Sequence, residues 1–169
     1  MTILLRQTRA VTAEPRYLEF DADHLDDVVA AMDAVSLAHE GWMNFEPAVH
    51  VDDIPPPDGG FFSLFSGRGP AVPLGTWTPA SKAGRGRAEP AMIGLQHPAG
   101  GKAKPLLEKF GHPVPQGWPI TQDYVKKGLV VAVPPTADHE DILRWLLKAA
   151  KVLSTLPLTG AWRAAIYRG

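Results

Sequence analysis

At 169 residues the chain has room for one domain of ordinary size or two small modules on a shared core. Hydrophobic residues make up 45% and charged residues 21%, with a formal net charge of -1, which excludes an intrinsically disordered chain and argues against a dedicated polyanion binder. Cysteine is absent, so disulfides, thiol catalysis and thiolate-held zinc or iron–sulfur centres are excluded as well.

Ile3-Leu4-Leu5 before Arg6 is too short for a signal-peptide core, and no apolar run approaches the roughly 20 residues of a membrane span. A soluble cytoplasmic protein is the resulting expectation. Residues 2–11 read as a short edge strand or a tail. Arg16 to Phe20 alternates loosely and predicts a first strand. A helix follows, with Asp21 or Asp23 as its cap, acids in its first turn, and a buried stripe of Leu25, Val28, Val29, Met32 and Val35. Gly41 is the expected stop.

Trp42 to Val51 predicts a strand that carries Trp42, Asn44, Glu46, Ala48, His50 and Asp52 on one face. The prolines and glycines of 54–60 rule out regular structure there. Two further strands are expected at Phe61–Phe65 and Ala71–Thr78. Ser81 to Arg87, small and basic, reads as a flexible connection.

The second half is more regular. Ala91–Gln96 predicts a strand, then a short helix buries Ala103, Leu106, Leu107 and Phe110, with Pro105 in its first turn. Ile120 to Val125 alternates like an edge strand. Lys126-Lys127-Gly128 turns into Leu129 to Val133, which is apolar on both faces. A long helix over Asp138–Leu156 follows, with Thr136 as its expected cap and a stripe of Ile142, Trp145, Leu146, Ala149, Val152, Leu153 and Leu156. Gly160 to Tyr167 closes the chain as a strand.

Residues 90–169 therefore show the βαββαβ order of a ferredoxin-like unit. The predicted class is α+β: a ferredoxin-like second half and a βαβ-rich first half (1–80) sharing an antiparallel sheet through the 81–89 connection, all in one compact unit. Because Leu129 to Val133 is apolar on both faces, both sheet faces are expected to be covered. The first half is the candidate for the second covering. Ala22-Asp23-His24 and Ala137-Asp138-His139 open the two long helices alike, which admits an internal duplication or common helix-start chemistry.

Candidate chemistry is sparse. Gln96 to Lys102 runs from a strand into a helix, so the backbone at Gly100 and Gly101, with Lys102 and His97, forms a candidate anion or ligand site beside Trp118. The spacing does not match a phosphate loop. His97, His112 and Asp123 are candidate general acid–base residues, and no serine sits in a nucleophile elbow. Glu46, His50 and Asp52, with Asp53 and Asp58, carry metal-ligand chemistry but are spread too far along a strand to converge. An RNA-recognition module is rejected, because Leu129, Val131 and Val133 occupy the positions where stacking aromatics are needed. Arg85 and Arg87 remain plausible phosphate contacts in a solvated loop.

The expected function is binding of a small molecule or a protein partner against the sheet. A small His/Asp enzyme is the first alternative, and a structural or oligomerising module, such as a homodimer, is the second. No cofactor, metal, membrane or nucleic-acid partner is expected.

Overall fold

The computed structural model describes residues 14–54, 69–82 and 86–169. The expected strand at 61–65, the 2–11 segment, Asp58 and Arg85 fall outside them. Ten elements follow in chain order: β1 (Arg16–Asp21), α1 (Asp26–Ala38), β2 (Trp42–Pro47), β3 (Leu74–Thr78), β4 (Ala91–Gln96), α2 (Ala103–Lys109), β5 (Ile120–Tyr124), β6 (Gly128–Val133), α3 (His139–Leu153) and β7 (Ala161–Tyr167). A single 3-10 turn, Val51–Asp53, follows β2.

The seven described strands join one sheet in the order β1-β7-β2-β3-β4-β6-β5. Every pairing is antiparallel. The class is α+β, as the sequence predicts. The ferredoxin-like arrangement is altered, however. β4, β6 and β5 keep that motif's internal order, but β7 does not close beside β4, because β2 and β3 stand between them. The chain instead builds two split β-α-β units. β1 and β2 both flank β7, and β4 and β5 both flank β6. With β7 placed so far from β6, α3 crosses β4, β3 and β2 on its way between them.

This crossing organises the core. α3 packs against β3 and β4 and has α1 on one flank and α2 on the other. Its buried stripe is consequently broader than a simple sheet-facing stripe, adding Leu143, Leu147 and Ala150 to Ile142, Trp145, Leu146, Ala149 and Leu153. Gly75, on the middle strand, permits the close approach: a Cβ there would sit 3.1 Å from the Leu146 side chain. From the sheet, Met43, Phe45, Trp77, Ile93, Leu95, Leu129, Val131 and Val133 face this layer and are almost fully buried.

Several local expectations are corrected. Among the described residues the first half contributes β1, β2 and β3, which extend the sheet edgewise. Val130 and Ala132 are accordingly only half-buried, while Leu129, Val131 and Val133 are buried. Neither Asp21 nor Asp23 caps α1. Asp21 instead accepts the amides of Asp23 and His24 in the preceding turn. His39, in a left-handed conformation, ends α1 before Gly41 is reached. Asp138, not Thr136, caps α3 by accepting the Glu140 amide at 2.7 Å. β2 stops at Pro47, short of Val51, so His50 and Asp52 leave the face that carries Trp42, Asn44 and Glu46. Phe110 ends a seven-residue α2 and is exposed.

Candidate functional site

His97 follows β4 and turns inward like Leu95, leaving it 1% exposed. Its Nδ1 accepts the Ala99 amide at 3.3 Å, so the neutral ring carries its proton on Nε2. That Nε2 is buried without a hydrogen-bond partner among the described residues. Burial holds the imidazole below its usual pKa, partly offset by the Asp123 carboxylate. The backbone of Gly69 lies directly over the His97 carbonyl.

Asp123 is a tertiary helix cap. From β5 its two carboxylate oxygens accept the amides of Ala103 at 2.8 Å and Lys104 at 3.0 Å, at the start of α2. The first two amides of α2 thus already have a carboxylate. Gly100 takes a positive φ of 74° in the turn, and Lys102 is the exposed residue just before the helix.

His112 and Trp118 serve a different cluster. His112 Nε2 donates to the Trp145 carbonyl at 2.9 Å, and its ring stacks on that indole at 5.6 Å. Trp145 Nε1 in turn donates to the Pro113 carbonyl at 3.0 Å, and Trp118 meets Trp145 edge-on at 5.8 Å. The loop between α2 and β5 is thereby fastened to α3. Burial holds the His112 imidazole below its ordinary pKa, against the raising effect of its bond to Trp145. No hydrogen bond joins His97, His112 and Asp123 to one another among the described residues. Glu46 bonds Arg163 at 2.9 Å, and that guanidinium lies over Tyr17 at 5.0 Å. Arg87 is exposed.

A different site emerges on the helical side, between the turn before α1, the outer flank of α3 and β7. A groove of about 280 Å³ is floored by Leu25, Leu147 and Trp162 and edged by Arg144, Lys148 and Lys151. No carboxylate lines it. Arg144 is braced there, donating to Glu140 at 2.8 and 2.6 Å and to the Ala22 carbonyl at 3.2 Å. Trp162 is buried at 5% exposure and stacks near Phe20, at 6.5 Å.

The signal for this groove was present in the sequence. Arg144, Lys148 and Lys151 recur at helical spacing beside Leu147, so they form one stripe. Their meeting with Leu25 and Trp162, from opposite ends of the chain, required the tertiary fold. Sequence spacing likewise gives no sign that His139 pairs with Asp33, 106 residues away.

No helix among the described residues is long and apolar enough to cross a membrane. No known family model matches the chain, and no curated protein or solved structure matches it significantly.

Proposed function

We propose that the protein binds a small amphipathic anion, an apolar body bearing one carboxylate-type group, in the groove between α1, α3 and β7. The observation that carries this reading is the pairing of an apolar floor, Leu25, Leu147 and Trp162, with Lys148, Lys151 and the Glu140-paired Arg144 at its edge and no carboxylate in its lining. Burying apolar surface contributes roughly 25 cal/mol per Å², while the cations supply orientation and charge selection. At about 280 Å³ the groove suits a short ligand. Arg144 is already held in place by Glu140 and Ala22, which lowers the ordering cost of presenting its guanidinium.

Calorimetric titration with octanoate tests the reading, with octyltrimethylammonium as the charge-reversed control. Octanoate is expected to bind and the cation to bind more weakly. Replacing Lys148 and Lys151 together with glutamate should weaken octanoate by at least about tenfold, or 1.4 kcal/mol. Equal binding of both probes, or an unchanged octanoate affinity in the double variant, overturns it.

The acid–base reading on His97, His112 and Asp123 has less support, since each is engaged in a separate structural role. The two split β-α-β units favour descent of the sheet from a duplicated element, with 91–133 the part nearest a ferredoxin-like motif.

A further inference from the structure

A second depression, open to solvent and independent of the anion groove, lies where α1 meets the start of α3. It measures about 410 Å³, and its walls include Asp33 and Ser36 of α1 together with Asp138 and His139. His139 Nδ1 is 2.6 Å from Asp33 Oδ1. Trp77, fully buried on β3, abuts the imidazole edge-on at 5.2 Å and fixes its plane. The His139 side chain is 21% exposed, and Nε2 has no protein partner among the described residues. A carboxylate on Nδ1 selects the tautomer whose Nε2 bears the lone pair. An imidazole held this way beside a depression is the arrangement of a general base.

We propose that His139, positioned by Asp33, is a general base that activates water against a small neutral ester. The substrate class follows from the lining. Asp33 and Asp138 repel phosphates and carboxylates, and no cationic side chain lines the depression to offset them. With no cation to stabilise an oxyanion, the site suits esters whose alcohol leaves readily rather than amides. In the reaction Nε2 takes a proton from water as the water oxygen bonds to the carbonyl carbon. The C–O bond to the alcohol then breaks, and the alkoxide recovers the proton from Nε2. The products are a carboxylic acid and an alcohol. Nδ1 keeps its proton throughout, donating it to the Asp33 carboxylate, which acts as a positioning residue.

The test uses p-nitrophenyl acetate with the full chain, and His24→Gln as a control for an exposed histidine elsewhere. General-base catalysis contributes roughly 10²–10⁴-fold, so the protein should exceed an equal concentration of free imidazole by at least about tenfold. His139→Gln should abolish that excess, and Asp33→Asn should lower kcat while leaving KM and the melting temperature nearly unchanged. His24→Gln should match the parent. Wild-type hydrolysis no faster than imidazole, or an undiminished rate in His139→Gln, overturns the proposal and leaves the pair a clasp between two helices. Should the His139 variant fail to fold, long-range nitrogen–proton spectra of the parent decide instead. An unprotonated Nε2 in the neutral ring supports the base, and a protonated one overturns it.

Discussion

Asp123 and Ala103 lie 20 residues apart in sequence, yet the carboxylate of the first accepts the amide of the second at 2.8 Å and so begins α2. A helix of seven residues is too short to be stable alone, and the residue at its own N-cap position, Lys102, provides no capping bond. The edge strand β5 supplies the cap instead. This makes the start of α2 and the placement of β5 mutually dependent.

Asp123→Ala should therefore destabilise the fold by about 1–2 kcal/mol, the upper part of the range for a lost cap, since two amides are orphaned together. Asp123→Asn should lose less, because an amide oxygen still accepts. Urea denaturation measures both, and amide exchange at Ala103 and Lys104 should accelerate selectively. Equal stability in the alanine variant would show that the bonds contribute nothing net.

Gly128 begins β6 at a φ of 83°, and a Cβ on it would collide with the Leu95 carbonyl of β4. Backbone strain and steric overlap act together at this position. Gly128→Ala is expected to cost about 2 kcal/mol or more and to lower the thermal midpoint accordingly. A variant as stable as the parent would mean that β4 and β6 can separate freely at this end.

The pH dependence of stability follows from His97 and His112, both held below the ordinary histidine pKa chiefly by burial. Between the depressed folded value and about 6.5 in the unfolded chain, the unfolded state binds more protons, so stability rises with pH. The contribution is complete above the unfolded value and is lost as pH falls through the folded one. Urea midpoints measured from pH 7.5 down to pH 5 should decline. In His97→Leu the decline should be shallower. An unchanged slope would place the proton uptake elsewhere.

His112→Ala removes both a bond to the Trp145 carbonyl and the ring stacked on that indole. A loss of about 1–3 kcal/mol is expected, with a changed near-ultraviolet circular dichroism signal from the Trp118–Trp145 pair. His112→Phe should recover part of the stacking and none of the hydrogen bond. A change in stability without the optical change would separate His112 from the indole cluster.

Element types in the second half were legible because period and punctuation agree there. Leu129 to Val133 between Gly128 and Pro134 reads as a strand on any pairing, and Ile142, Trp145, Leu146 and Ala149 can share a face only in a helix. The α+β class follows from those local patterns. Strand order does not, because alternation along β2, β3 and β7 is satisfied equally by several neighbours. Placement of β2 and β3 between β4 and β7 is a choice among long-range pairings, stabilised by how α3 sits over Gly75. That choice turned the apolar strand β6 from one with both faces covered into one buried chiefly on its helical side.

Functional side chains divide in the same way. Residue chemistry marked His97, His112, Asp123 and Trp118 as noteworthy, and each does have a specific environment. Their partners are Ala99, Trp145, Ala103 and Trp145 again, contacts set by the fold. The sequence by itself determined the periodicities and the absence of thiol chemistry, whereas the helix caps, Asp138 on α3 and Asp123 on α2, came with the fold. Only the tertiary structure decided which cations gather over Leu147 and Trp162, and which carboxylate meets His139. Those encounters join residues up to 122 positions apart in a single hydrogen bond, and local propensity carries no information over such a distance.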